Sequence, residues 1–325
     1  MTDTGLHIER LGMHRAMRLA AIAVISVIFG GCANEAPPID HPAPDRQAAQ
    51  PAPPSDRARS TPHQQPAGDA GEDRAEARMP RSDEGRAYRV VHVIVCLADN
   101  QHQGIVRIPD DLGDGQNPRT NLYWGAMYGT KTYLQRSDRW RLVRTAATNE
   151  GVVLERCVFV HRTADPALYL VAEAYDGRAM KDALLGFFGF AAGGHPRRVS
   201  FADSGEPITC GSAADLICFI GHNGLMEVNL DDHLPKRARG PQPEQAVVLA
   251  CRSKPHFAGK LAGLGCEPLV VTTGLMAPEA YTLDALVDAW AGGADAAATR
   301  RAAADAYAKY QRCSVTAARR LFDVR

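Results

Sequence analysis

The sequence predicts an α/β domain with a mainly parallel sheet flanked by helices. Short apolar, β-branched runs alternate along the chain with segments of helical spacing, which is typical of a parallel sheet covered on both faces. The runs at 90–97, 216–220 and 246–250 are almost continuously apolar, as in strands buried on both sides. The chain from 87 to 325 is long enough for a single domain of this class.

The remaining elements are predicted from periodicity and from helix-start signals. Further strands are expected at 140–145, 157–161, 168–172 and 269–273. Apolar residues at helical spacing predict the helices. These helices are expected at 121–135, 180–192, 257–264, from Pro278 onward, and at 296–322 with a break near Ser314.

The composition excludes two classes of protein. The 37 Lys and Arg residues balance the 37 Asp and Glu residues, so bulk charge gives no reason to expect a nucleic-acid partner. No apolar run reaches the roughly 18 residues of a membrane-spanning helix, which excludes a polytopic membrane protein. The chain also lacks the common metal, phosphate-loop and dinucleotide motifs, and we predict neither a metal nor a cofactor.

The N-terminal segment is predicted to direct export. Residues 19–29 are apolar except for Ser26 and follow several arginines, as in a secretory signal. The Phe-Gly-Gly-Cys sequence that ends at Cys32 resembles a bacterial lipobox. That resemblance implies that 1–31 is a lipoprotein signal peptide and that Cys32 carries the lipid that anchors the protein in the bilayer. Ala33 implies delivery to the outer membrane of the cell envelope, while a soluble secreted protein or an uncleaved anchor is the alternative.

Residues 32–86 are predicted to be a disordered Pro/Ala-rich tether. No Phe, Trp or Tyr occurs from 33 to 86, and prolines are mixed with Ala, Asp, Arg, Gln and Ser. Such a segment buries too little apolar surface to offset the entropy lost on ordering. We therefore expect a semi-extended spacer between the lipid and the domain at 87–325.

Two predicted strands lead directly into residues that can carry chemistry. The run at 216–220 continues through a glycine to His222, and the run at 246–250 continues to Cys251. Parallel strands present their carboxyl ends at one edge of a sheet, so we expect the imidazole and the thiol on the same rim. A histidine can take the proton of a thiol, whose thiolate is the attacking form, and later return it to the leaving group.

This arrangement resembles the caspase-like cysteine peptidases, the clan that also holds legumain, gingipain, separase and clostripain. In that family one apolar strand ends in His-Gly and a later one in Ala-Cys; here they end in His-Asn-Gly and Ala-Cys-Arg-Ser. The resemblance implies a caspase-like topology, with Cys251 as nucleophile, His222 as acid and base, and a peptide or protein as substrate. Backbone N–H groups of Asn223 or Gly224, with that of Cys251, would form the oxyanion hole.

The same residues also allow interpretations without catalysis. Cys251 could be a buried structural cysteine, and His222 a loop histidine satisfied by backbone groups. The protein would then be a non-catalytic lipoprotein on a caspase-like scaffold, binding a partner or a glycan through an aromatic surface near Trp124. If Cys32 carries lipid, an odd number of cysteines remains, and in an oxidising compartment at least one is unpaired. We assign that free thiol to Cys251.

Overall fold

The computed structural model describes most of the chain beyond the predicted tether. The described residues are 86–148, 150–200 and 207–323. The predicted signal peptide, the lipidation site at Cys32 and all of the predicted tether except Arg86 lie outside these residues. Within them, no helix is both long enough and apolar enough to cross a bilayer.

A seven-stranded sheet forms the centre of the domain. The described residues contain the seven strands of this sheet and two strands of a separate ribbon. In chain order they are β1 (Tyr88–Cys96), β2 (Trp140–Ala147), β3 (Val153–His161), β4 (Ala167–Tyr175), β5 (Pro196–Val199), β6 (Ile208–Gly211), β7 (Leu216–Ile220), β8 (Gln245–Leu249) and β9 (Glu267–Val270). The sheet order is β2-β3-β4-β1-β7-β8-β9, and β5 and β6 form a separate ribbon. Strands β4, β1, β7, β8 and β9 run parallel, while β2 and β3 are antiparallel additions at one edge. The predicted α/β class with a mainly parallel sheet is confirmed.

Helices cover both faces of this sheet. They are α1 (Thr130–Arg136), α2 (Met180–Ala191), α3 (Ser253–Gly263), α4 (Ala280–Ala291), α5 (Ala296–Gln311) and α6 (Val315–Leu321). Apolar residues of α1, α4, α5 and α6 pack in one core, and those of α2 and α3 pack in a second core. In β1, Val91 and Val93 face the first core and Val90 and Ile94 the second, which explains its nearly continuous apolar run.

The helix predicted at 121–135 is wrong in its first half. Only Thr130–Arg136 is helical, and the preceding residues form turns. The Asn121 side chain causes this, since its amide donates to the Ala98 carbonyl at 2.8 Å and its oxygen accepts from the Ala98 N–H at 3.1 Å. Asparagine side chains that bond backbone in this way compete with helix formation. The segment is thereby tied to the end of β1.

The only polar residue in the apolar run of β1 belongs to a buried ion cluster. His92 and Glu173 are fully buried, and their side chains are bonded at 3.1 Å. Arg156 and Arg197 donate to the same carboxylate, each at 2.7 Å. Burial alone would raise the pKa of Glu173, but His92, Arg197 and Arg156 outweigh it and hold that pKa well below its usual range.

Candidate active site

The strand register brings the two predicted catalytic residues to the same level of one rim. Strands β7 and β8 are parallel neighbours in which Ile220 pairs with Leu249. His222 comes two residues after Ile220, and Cys251 comes two residues after Leu249. Both residues therefore follow the carboxyl ends of their strands at the same position in the register. The adjacency of the two strands, on which the sequence argument depended, is therefore a feature of the fold.

This rim is also the place where an open parallel sheet binds ligands. The chain extends the sheet from β1 to β4 on one side and from β1 to β7 on the other. In open parallel sheets, ligands bind beyond the carboxyl ends of the strands at the place where the strand order reverses. His222 follows β7, which is a neighbour of β1 in the sheet.

A sharp strand-to-helix turn presents the cysteine. Cys251 follows β8, and α3 begins at Ser253. The intervening Arg252 has φ 47°, in the left-handed region that a side chain other than glycine seldom adopts. Its N–H donates to the carbonyl of Gly274 at 2.8 Å, which holds this conformation. Strained backbone of this kind collects at functional sites, where the surrounding structure maintains it.

A buried network of hydroxyl hydrogen bonds, formed by Ser253 and Thr272, stabilises this turn. Ser253 donates its hydroxyl to the Val248 carbonyl at 3.0 Å, and its N–H donates to the Thr272 hydroxyl at 3.1 Å. Thr272 donates its N–H to the Ser253 hydroxyl at 2.8 Å and its own hydroxyl to the carbonyl of Ala250. Ser253 stands where the caspase-type pattern has glycine, and here it locks the residues on either side of Cys251 together.

The thiol of Cys251 is held by the backbone of one residue. Its sulfur lies 3.4 Å from both the carbonyl oxygen and the nitrogen of Met276, donating to the first and accepting from the second. Burial raises the pKa of this thiol, and the Met276 N–H and Arg252 offset only part of that effect. The resting thiol is therefore protonated at neutral pH, so attack on a substrate needs a base.

Cys251 differs in exposure from the core cysteines. Cys96, Cys157, Cys210, Cys218 and Cys266 are buried thiols, whereas Cys251 and Cys313 have intermediate exposure. Burial raises the pKa of Cys157, Cys210 and Cys266 to about 12, which makes them unreactive in the folded protein. A thiol reagent applied to the native protein should therefore discriminate among these positions.

The imidazole of His222 has a carboxylate partner that the sequence analysis did not name. Nε2 of His222 lies 2.7 Å from Oε1 of Glu227, and the histidine side chain is only 10% exposed. The contact forms because Gly224–Met226 is a 3-10 turn that folds the chain back on itself. Among the contacts of the described residues, no hydrogen bond joins His222 to Cys251.

The predicted oxyanion-hole residues divide into two groups. The N–H of Gly224 donates to the His222 carbonyl at 3.1 Å, whereas the N–H groups of Asn223 and Cys251 make no internal hydrogen bond among the described residues. The Asn223 side chain donates to the Cys251 carbonyl at 2.7 Å and so ties the two strand ends together. Its Oδ1 is buried and accepts no hydrogen bond, an unusual state for a buried polar atom.

A cavity lies between the segment that follows Gly224 and helix α3. Its volume is about 600 Å³. The lining comprises 225–231, which follow His222, and Pro255, His256, Gly259 and Lys260 of α3, the helix that begins after Cys251. Among the described residues, no group of three or more His, Cys, Asp or Glu side chains is arranged to hold a metal ion.

Trp124, near which an aromatic surface was expected, is not itself exposed. Trp124 is fully buried, and its indole N–H donates to Glu155 at 2.6 Å. The neighbouring Tyr123 is also buried, in the same core. These two rings pack the turns that follow β1 against the first core.

Comparison of this chain with protein-family models, with curated proteins and with solved structures found no match in any of the three. The interpretation of the site therefore depends on its own geometry and chemistry.

Glu279 lies in the segment that also supplies Met276 and is buried without a cationic donor. Its side chain accepts from the hydroxyl of Tyr281 at 2.7 Å and from the amide of Gln311 at 3.1 Å. Burial raises the pKa of Glu279 to about 7, although both donors act in the opposite direction. A carboxyl that loses its proton near neutral pH thus lies close to the segment that holds the nucleophile.

We expect this carboxyl to make the stability of the domain depend on pH. Between its ordinary pKa of 4.5 and about 7, the folded state binds more protons than the unfolded state. The free energy of unfolding should therefore fall by about 3 kcal/mol as the pH rises through this window, and this decrease should be missing in Glu279→Gln. Urea unfolding at pH 5 and pH 8 measures it, with the exposed Glu267→Gln as control. Equal pH dependence in wild type and Glu279→Gln would refute the assignment.

Proposed function

We propose that this protein is a cysteine peptidase-like hydrolase of caspase-like topology that cleaves peptide bonds through Cys251 and His222. One observation carries the proposal: β7 pairs with β8 so that an imidazole and a thiol of intermediate exposure follow the carboxyl ends of two neighbouring strands. His222 follows the third and Cys251 the fourth parallel strand in chain order, which supports the resemblance stated above.

The reaction uses only groups of this chain and of the substrate. His222 takes the proton of the Cys251 thiol, and the sulfur attacks the peptide carbonyl carbon to form a tetrahedral oxyanion. The free N–H groups of Asn223 and Cys251 supply hydrogen bonds to that oxygen. The C–N bond then breaks as His222 returns the proton to the leaving amine. Water, deprotonated by the same imidazole, attacks the thioester, and the thiolate leaves and regains a proton.

The resting contacts define what substrate binding must change. The thiol donates to the Met276 carbonyl, so its proton has to turn from that oxygen toward His222 before attack.

We further propose that lipid on Cys32 anchors the protein in the cell envelope, at the outer membrane. The support is the apolar stretch at 19–29 and the lipobox-like sequence that ends at Cys32. The predicted tether at 32–86 would let the hydrolase reach peptide or protein substrates away from the bilayer.

A peptide-library experiment tests the proposed reaction. The full-length protein carrying Cys313→Ser is incubated with a proteome-derived peptide mixture, and new termini are identified by mass spectrometry. We expect cleavage that disappears after iodoacetamide has alkylated Cys251. No cleavage, or cleavage unaffected by alkylation, would overturn the hydrolase and favour a binding lipoprotein on the same scaffold.

A further inference from the structure

A carboxylate beside His222 connects the imidazole to the segment that follows β1. Oε1 of Glu227 lies 2.7 Å from Nε2 of His222 and also accepts the N–H of Gly104 at 3.0 Å. Gly104 lies in the segment after β1, and Glu227 lies in the segment after β7. One carboxylate oxygen thus joins the two segments that border the candidate site.

The contact requires glycine at position 104 because there is no room for a side chain, and not because the backbone has an unusual conformation. A Cβ at this position would collide with the carboxylate of Glu227. Any side chain at Gly104 would therefore force the carboxylate of Glu227 to shift from its present position. The glycine lets the backbone approach the carboxylate closely enough to hold it.

The contact selects one form of the imidazole. A neutral histidine carries a proton on only one ring nitrogen, and a carboxylate that accepts at Nε2 favours the form with the proton there. Nδ1 is then unprotonated and can accept the proton of a thiol. The same carboxylate stabilises the imidazolium that forms when the thiol proton is transferred.

We infer that Glu227, held in place by Gly104, is the positioning residue of the dyad: it orients His222 and fixes the tautomer in which Nδ1 accepts the proton of Cys251. This inference rests on the proposed function and names a third member that the sequence spacing did not reveal. Glu227 touches neither the sulfur nor a substrate bond and acts only through the imidazole.

Two variants remove the contact by different means. Glu227→Gln removes the charge but keeps the shape, and Gly104→Ala displaces the carboxylate without removing it. Asp231→Asn is the matched control, because Asp231 is an exposed carboxylate of the same cavity that pairs with Lys260 and not with His222. All are made in the full-length Cys313→Ser protein, and thermal melting verifies that each is folded.

The readouts are the alkylation rate of Cys251 as a function of pH and the tautomer of His222 by ¹⁵N NMR. Glu227→Gln and Gly104→Ala should each lower the rate at pH 7 by about 10- to 100-fold, the range seen when the group that orients a metal-bound histidine is removed. Both should also reduce the population protonated at Nε2. Asp231→Asn should change neither readout.

The possible failures are distinguishable. If His222→Ala slows alkylation but Glu227→Gln does not, the positioning role is wrong and the dyad stands. If Gly104→Ala slows alkylation but Glu227→Gln does not, the effect comes from the backbone around Gly104. The positioning role of Glu227 is then also wrong. If His222→Ala has no effect either, the proposed function itself fails.

Discussion

Peptide hydrolysis should fall by roughly a thousandfold or more when Cys251 is replaced by serine, because the hydroxyl is a far weaker nucleophile with the same base beside it. The substitution is nearly isosteric, and the Met276 N–H and carbonyl can bond a hydroxyl as they bond the thiol. The fold should therefore be retained. The assay is cleavage of the peptides found in the library experiment, measured with purified full-length protein.

Cys313→Ser is the matched control for this result. Cys313 is the other cysteine of intermediate exposure among the described residues, and it follows the helix α5 rather than a strand of the sheet. Its substitution should leave hydrolysis unchanged. Cleavage that survives in Cys251→Ser would show that Cys251 is not the nucleophile.

The largest loss of stability should come from Glu173→Gln. Glu173 is fully buried and accepts from Arg156, Arg197 and His92. Removing its charge leaves two guanidinium groups without their buried partner, which typically costs about 3–5 kcal/mol. Because the pKa of Glu173 is lowered in the folded state, its contribution is present above the ordinary pKa of 4.5 and is lost as the pH falls below that value toward the lowered pKa.

Urea unfolding of Glu173→Gln at pH 7 measures this loss directly. Glu150→Gln is the control, since Glu150 pairs with the same Arg156 but its side chain is 54% exposed. An exposed pair contributes about 0–1 kcal/mol, so the control should be close to wild type. Equal effects of the two substitutions would mean that the cluster does not stabilise the fold.

Most of the sheet was predictable because its strands are short apolar runs with clear ends. The segments at 216–220 and 246–250 are of this kind, and their C-terminal neighbours identified His222 and Cys251. The ribbon of β5 and β6 was missed, because its Pro-Arg-Arg-Val strand has none of that apolar character. The helix at 121–135 was overextended, since the long-range bonds of Asn121 to Ala98 leave no signal in local periodicity.

The rest of the candidate site was hidden for a different reason. Met276 holds the thiol through its backbone, which carries no residue-specific signal in the sequence. Glu227 is close to His222 along the chain, but its contact depends on a 3-10 turn and on the approach of Gly104 from another segment. Only the folded chain shows that these groups converge on one rim.

The rate of iodoacetamide alkylation at Cys251 tests the central claim most directly. It is measured by peptide mass mapping on the full-length Cys313→Ser protein and its His222→Ala variant, from about pH 5 to 9, a range that includes the free-thiol pKa of about 8.5. If His222 is the base for this thiol, the rate at pH 7 falls about tenfold or more in His222→Ala, the equivalent of about one pKa unit. Equal rates in the two proteins would contradict the dyad.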